Sequence, residues 1–234
     1  KHLFNNKLFG VFTGAFSQYS YSLNSERDSL SSFEMDFSIK QFNLKADFSY
    51  TLNGKHTLSA GLHSTVYNLS PGSIAPVGGE SLVTPDVLQK ERGLESALYI
   101  GDNFDITNKL SLYLGIRYSL YQYLGDRSVF QYSGPREVNN IVDTLSYRAG
   151  AAISTYHGPE PRLTARYLLS NTSSLKFSYN RTRQYIQMLS NTTAITPTDI
   201  WKLSDPYVKP QTGDQVSLGY YRNLKGNTIE TSVE

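Results

Sequence analysis

The 234-residue chain carries 22 basic and 20 acidic residues, and its formal charge of +2 gives no broad electrostatic basis for binding nucleic acid. It has no cysteine, which excludes disulfides and thiolate metal sites, and its four histidines show no ligand spacing. Mean hydropathy is -0.38, and no stretch approaches the roughly 18 apolar residues of a transmembrane helix. We therefore expect no metal and no cofactor.

In chain order, segments with a two-residue apolar/polar alternation predict nine strands. They span 7–23, 33–52, 56–69, 93–104, 110–123, 162–169, 175–185, 215–222 and 228–234. The second is the clearest, because alternate residues from Phe42 to Leu52 are apolar. Upstream, Phe37 and Ile39 have the opposite parity, which predicts a β-bulge or a change of environment near Lys40 and Gln41.

The connections between these segments alternate between short and long. Short turns are predicted at 52–56, 105–109, 170–174 and 223–227. Long connections are predicted at 24–32, 70–92, 124–160 and 186–214, the third with a short hairpin at 145–155. Short turns at one edge and long loops at the other are typical of a transmembrane β-barrel.

The fold class that follows is all-β: an antiparallel meander of about nine strands, part of a large barrel. Arg117 lies inside a predicted strand and must face a wet lumen, because at the bilayer midplane it would cost about 2–4 kcal/mol. The rival fold is a water-soluble β-sandwich, in which the apolar residues of 42–52 would pack on a second sheet.

Several segments carry a family resemblance through their order and spacing. They lie at 99–104, 112–118 (with Gly115-Ile116-Arg117-Tyr118 as a GxRY strand), 158–163, 179–186, 197–201, 209–211 and 215–221. Together they resemble the late barrel of a TonB-dependent outer-membrane receptor of the Bacteroidetes type. The resemblance covers most of the chain and is best over 95–234.

The resemblance implies a 22-stranded barrel in the bacterial outer membrane, an N-terminal plug and energised import of a scarce nutrient. Residues 1–234 would form part of one barrel domain. The plug and the remaining strands would lie elsewhere in the polypeptide, since the chain opens on a turn without a signal peptide and closes within a strand. The implied partners are outer-membrane lipids, the plug, the TonB energy-coupling complex and a small nutrient ligand (siderophore, cobalamin, glycan or peptide). A surface lipoprotein is a further candidate, and no catalytic residues are implied.

Two groups of residues are candidates for function. The aromatic side chains predicted in outer loops could stack on a ligand, with loop packing or an interface belt as the alternative: Tyr147, Tyr156, Trp201 and Tyr207. A charged group, basic apart from Glu160, could face the lumen or the plug, with a charge-paired, solvated interior as the alternative: Arg117, Glu160, Arg162, Arg166, Arg181 and Arg183.

Three other functions remain open at this point. A passive porin and a barrel that anchors a surface lipoprotein share the same wall and differ in what lies outside this chain. An outer-membrane enzyme would need a nucleophile and a base in the barrel wall. We rank it last, since His56 lies in a predicted short turn and His63 stands alone. Glu160 and Asp199 are not a plausible acid/base pair, having no defined separation or histidine partner.

Overall fold

The computed structural model describes residues 1–26, 28–189, 200–226 and 228–234. Fifteen strands and a short 3-10 helix, Val138–Asn140, occur in these ranges. The strands are β1 (His2–Leu3), β2 (Leu8–Ser25), β3 (Phe33–Thr51), β4 (His56–Pro76), β5 (Asp86–Val87), β6 (Glu91–Asp105), β7 (Leu110–Leu124), β8 (Arg127–Tyr132), β9 (Ile141–Tyr147), β10 (Ala152–Ser170), β11 (Ser173–Gln184), β12 (Ile186–Leu189), β13 (Ile200–Leu203), β14 (Gln211–Leu224) and β15 (Ile229–Val233).

Eleven of these strands form one antiparallel sheet. Its order is β1-β2-β3-β4-β6-β7-β10-β11-β14-β15, with β5 paired to β4. The nine predicted strands correspond to its nine long members, so the predicted meander is confirmed. Strands β8 and β9 form a separate hairpin, and so do β12 and β13. Both hairpins belong to long connections, which all leave from one edge of the sheet.

Two predicted boundaries are wrong by seven residues or more, and β14 begins at Gln211, four residues before its predicted start. Strand β4 continues to Pro76, seven residues beyond the predicted end, because its last residues pair with the first residues of β3. Strand β10 begins at Ala152, ten residues before the predicted start, because it pairs along nearly the whole of β7. The hairpin predicted at 145–155 is instead the β8–β9 hairpin.

The apolar residues of β3 change environment as predicted, without a bulge at Lys40 and Gln41. Phe37 is 3% exposed and Ile39 is 7% exposed, whereas Phe42 is 46% exposed. The irregularity in pairing lies between Asp36 and Ser38, opposite β4. One face of β3 is therefore covered near the long connections, and the other face exposes its apolar side chains.

The same division into two faces runs across the sheet. The strand registers align exposed hydrophobic side chains on one side, which we call the apolar face: Phe16, Phe42, Leu44, Leu62, Leu98, Ile100, Leu114, Ile116, Phe177, Val216 and Leu218. Charged side chains align on the other side, the charged face: Lys45, Asp47, His63, Glu95, Arg117, Glu160, Arg162, Arg166 and Lys176. This is the arrangement of a transmembrane barrel wall.

No second sheet covers the apolar residues of β3 within the described ranges, since Phe42 and Leu44 are 46% and 48% exposed. A β-sandwich would bury them. Among the described residues, no helix has the length and apolar character that crossing a membrane requires.

Candidate functional site

Near the long connections, the side chains of the charged face pair with each other, and Arg117 of β7 is at the centre of these pairs. Its guanidinium lies 2.6 Å from Glu95 of β6 and 2.6 Å from Glu160 of β10. The second carboxylate oxygen of Glu95 accepts a hydrogen bond of 2.9 Å from the Tyr67 hydroxyl of β4. Glu160 is only 2% exposed. These charges satisfy each other and tie four neighbouring strands together.

Beyond Arg117, the β12–β13 hairpin folds onto the charged face and packs against β4 and β6. Leu203 of β13 is fully buried in a cluster with Leu69, Tyr121 and Tyr185. The rings of Tyr121 and Tyr185 stack at 4.6 Å between centroids, and the Tyr185 hydroxyl hydrogen-bonds Ser119 at 2.7 Å. The hairpin is therefore held by apolar packing as well as by polar contacts.

Glu91, at the start of β6, joins this hairpin to the neighbouring connection. Its Oε2 accepts a hydrogen bond of 2.9 Å from the backbone N–H of Leu203. Its Oε1 pairs with Lys202 and, at 3.3 Å, with Arg127. Glu91 is 3% exposed. We call Glu91, Arg127 and Lys202 the Glu91 cluster. Lys202 also pairs with Asp205 at 2.7 Å, and Arg127 also donates to the Tyr123 hydroxyl, so removing the Glu91 carboxylate would leave each cation with one other partner.

A second set of contacts joins the two hairpins to each other. The Tyr207 hydroxyl donates to the backbone carbonyl of Phe130 in β8. The guanidinium of Arg136 lies 5.1 Å from the Tyr207 ring and donates to the Tyr207 carbonyl at 3.3 Å. Tyr132 packs edge-on against the same ring at 5.7 Å. Tyr207 therefore links the chain after β13 to the β8–β9 hairpin.

The four predicted ligand-binding aromatics all lie at this end of the molecule. Tyr147 ends β9 and is half-buried, Trp201 packs against the apolar cluster, and Tyr207 bridges the hairpins. Tyr156 is in strand β10 rather than in a loop, which corrects the prediction, because β10 starts at Ala152. Its hydroxyl donates to the Asp205 carbonyl at 2.7 Å.

The predicted lumen-facing residues take four different positions. Arg117 and Glu160 are paired to each other on the charged face, while Arg162 and Arg166 are exposed on it. Arg183 has the parity of Arg181 in β11, and its guanidinium lies against Gly158, so that a Cβ at Gly158 would collide with it.

Arg181 lies on the apolar face instead, which corrects its assignment to the lumen. The unbroken pairing of β11 with β14 puts it on the side of Phe177 and Tyr179. It binds Asp214 through two hydrogen bonds of 2.8 and 2.9 Å, and the Tyr179 hydroxyl adds a third of 2.8 Å. This pair lies beyond the exposed apolar residues, towards the long connections. The hydrogen bonds from Arg181 and Tyr179 lower the pKa of Asp214 to about 2.

Several residues of the site were not predicted. Glu91 and Glu95 share a face of β6 with Ala97 and Tyr99, and both acids are buried. Two acids with the same parity as residues of a predicted strand were therefore a signal that could have been used. Arg127 and Lys202 offered none, since each lies in a connection without periodic pattern.

Nearer the short turns, the charged face is open. A cavity of about 490 Å³ is lined by residues that include Arg166, Lys176 and Tyr113, and one of about 260 Å³ by residues that include Lys45 and Arg162. Arg162, Arg166 and Lys176 are exposed, and within the described ranges none of them has a side-chain hydrogen bond or ion pair. In the same ranges, no three acidic or histidine side chains group closely enough to hold a metal ion.

Comparison with known proteins agrees with this geometry. The family model described as "TonB dependent receptor-like, beta-barrel" matches residues 2–233. No curated protein sequence matches the chain.

Solved structures share the fold at low identity. The copper transporter OprC aligns with a TM-score of 0.64 at 8% identity, over 95% of this chain and 34% of that one. The ferric-catecholate import receptor Fiu of E. coli K12, in its closed form, aligns at 0.57 and 15% identity, over 98% and 38%. FpvA of P. aeruginosa, bound to a pyoverdine and iron, aligns at 0.53 and 16% identity, over 99% and 30%.

This chain thus spans about a third of the length of each of these proteins. The likeness establishes a shared fold, and the match over nearly all residues establishes the family. The Bacteroidetes type of the receptor stays a prediction. The chain belongs to the TonB-dependent receptor-like β-barrel family.

Proposed function

We propose that this chain is part of the wall of an outer-membrane receptor that takes up a scarce nutrient with energy supplied through TonB. The observation that carries the proposal is the match of residues 2–233 to the family of receptor barrels. The exposed apolar face supports a position in the membrane, because lipid would cover side chains such as Leu98 and Val216, which are 67% and 66% exposed.

The charged face supports passage of the nutrient through a gate rather than through a permanently open pore. At the long-connection edge, the β12–β13 hairpin covers the wall and is fastened by the Glu91 cluster. We propose that this hairpin is a gate on the cell-surface side, which must leave Glu91 for the nutrient to pass.

The half of the charged face near the short turns is exposed, which supports contact between it and a second protein surface. Arg162, Arg166 and Lys176 line cavities and lack hydrogen-bonded or ion-paired side-chain partners in the described ranges. We propose that the plug domain of the same polypeptide supplies those partners, and that the plug and the other strands lie outside residues 1–234. The part of the matched structures that this chain does not cover leaves room for them.

The nutrient is a small ligand whose class the wall does not specify. The solved structures with this fold include a copper transporter and an import receptor for ferric catecholate, both named for transport rather than catalysis. We propose the same for this chain: a receptor and not an enzyme, with Tyr147, Trp201 and Tyr207 near the point of entry. A surface lipoprotein acting on the long connections is a further candidate partner.

The test is uptake by cells that carry the full-length receptor, with and without a functional TonB. Labelled ferric siderophores, copper, cobalamin, glycans and peptides would be offered singly at limiting concentration. We expect accumulation of one class, lost when TonB is removed. Equal accumulation without TonB would show a passive pore, and recovery of the receptor in the soluble fraction would refute its membrane position.

A further inference from the structure

The apolar face carries a groove of about 600 Å³ where β4, β6, β7 and β10 run side by side. Its base is made by Ser64 of β4 and Ser96 of β6, which are paired in register. Leu62, Leu98 and Leu120 form its sides. Two adjacent serines leave space that their larger neighbours do not fill, and the volume lies in the range of ligand pockets, about 300–1,000 Å³.

The groove has a polar end at His157 of β10. The His157 Nδ1 lies 2.6 Å from the Tyr118 hydroxyl, and the two rings are nearly parallel at 5.8 Å. His157 is exposed on the apolar face, beside Leu120. A polar side chain at one end of an apolar groove favours an amphiphilic occupant over a purely apolar one.

Two cations lie on the same face, closer to the long connections. The strand register places Lys40, Asn68 and Arg92 in one row across β3, β4 and β6. All three are exposed. Neither cation has a side-chain partner in the part of the chain that the structure describes. The next row on this face, towards the short turns, consists of Phe42, Val66 and Leu94. The two cations therefore lie at the boundary of the apolar residues.

The spacing of these groups is set by the sheet. Arg92 precedes Ser96 by four residues, which puts their Cα atoms roughly 13 Å apart along β6. Lys40 and Arg92 are separated by two strand spacings, roughly 10 Å. An anionic headgroup bound to the two cations would therefore lie roughly 13 Å from the base of the groove, a distance that an acyl chain attached to it can span.

We propose that this face binds a phosphorylated glycolipid of the outer leaflet, with one acyl chain in the groove and two phosphates on Lys40 and Arg92. A pair of cations roughly 10 Å apart matches two phosphates on one disaccharide better than the single phosphate of a phospholipid. The amide of Asn68 lies between them, where the sugar hydroxyls would be. The inference rests on the proposed position in the outer membrane, with the long connections at the cell surface.

The test uses the purified full-length receptor, stripped of lipid and placed in phosphatidylcholine nanodiscs that contain bisphosphorylated lipid A. Retained lipid A per receptor would be counted by native mass spectrometry for the parent, Lys40→Gln/Arg92→Gln and a control, Arg222→Gln. Arg222 is exposed on the same face of β14, next to a short turn. We expect the affinity of the double variant to fall at least about tenfold and the control to match the parent.

Two further arms identify the occupant. Ser64→Leu/Ser96→Leu fills the groove without changing charge, and we expect it also to weaken retention, provided the variant keeps the heat-modifiable gel mobility of a folded barrel. Phosphatidylglycerol should compete weakly. Equal retention by the double variant and the control would overturn the site, and equal competition by phosphatidylglycerol would overturn the choice of glycolipid. Since uptake is not the readout, a failed uptake proposal would leave this result intact.

Discussion

The two halves of the charged face differ in how their charges are satisfied. Near the long connections, half-buried Arg117 and buried Glu91 are paired with groups from other strands and connections. Near the short turns, Arg166 and Lys176 line an open cavity and lack side-chain partners in the described ranges. The wall therefore has one region whose charges are paired within this chain and another whose charges are exposed and could pair with a second protein surface.

The largest effect on stability should come from removing Arg117, which lies at the centre of the half of the charged face whose charges are paired. Arg117→Ala would leave Glu95 and Glu160 buried without their shared cation, which we expect to reduce the free energy of unfolding by about 3–5 kcal/mol. The matched control is Arg162→Ala, an exposed arginine on the same face, with an expected change within about 0.5 kcal/mol. Urea unfolding in mixed micelles would measure both. Similar losses for the two variants would contradict the difference between the halves.

A smaller and more local effect should follow from opening the Glu91 cluster. Glu91→Ala removes the acceptor of the Leu203 N–H and one of the partners of Lys202 and of Arg127, so the β12–β13 hairpin should separate from the wall more often. Hydrogen exchange at Leu203 should accelerate by at least about tenfold, which corresponds to about 1.4 kcal/mol. Glu230→Ala on exposed β15 is the control. Unchanged exchange at Leu203 would show that apolar packing alone holds the hairpin.

The open half should tolerate reversal of its charges. Arg166→Glu/Lys176→Glu should leave the unfolding free energy of the barrel within about 0.5 kcal/mol of the parent, because neither side chain has a partner to lose. In the full-length receptor, we expect the same variant to release the plug and raise ion conductance in planar bilayers. A conductance equal to that of the parent would count against plug contact at this cavity.

The smallest effect concerns the ion pair on the apolar face. Because the pKa of Asp214 is lowered to about 2, the pair contributes fully above pH about 4, and its contribution is lost as the pH falls through about 2. The carboxyl carbon of Asp214 in labelled protein should titrate accordingly by NMR. With Arg181→Gln, one of the two causes is removed, and the midpoint should move up towards the ordinary value. A midpoint that stays near 2 would assign the shift to Tyr179.

The strands were predictable because a wall with one apolar and one charged face repeats every two residues. The part of β3 from Phe42 onward and most of β7 show that period clearly. The upper end of β4 was missed because Pro71 and Gly72 resemble a loop, yet they lie at the register shift opposite Asp36 and Ser38, where a regular ladder is not required.

The site was only partly predictable, for a different reason. Arg117 could be placed by strand alternation, whereas Glu160 fell at the end of a predicted connection. The Glu91 cluster joins a strand to two connections far apart in the chain, and no local pattern reports such a contact. Arg181 was misplaced because its neighbours in the chain, rather than the parity of β11, suggested its face. Position within a strand predicts which face a charge occupies but not which distant loop will cover it.

The most direct test of the account is whether the β12–β13 hairpin must leave the wall for transport. Residues 1–234 contain no cysteine, so Glu91→Cys/Lys202→Cys introduces one pair within them, at two positions whose longer native side chains meet. Uptake of the receptor's nutrient would be measured in the same cells after cross-linking with a bismaleimide that has a reducible spacer and again after reduction, with each single variant as control. We expect uptake to be lost on cross-linking and restored by reductant. Equal uptake in the two states of a fully cross-linked receptor would contradict it.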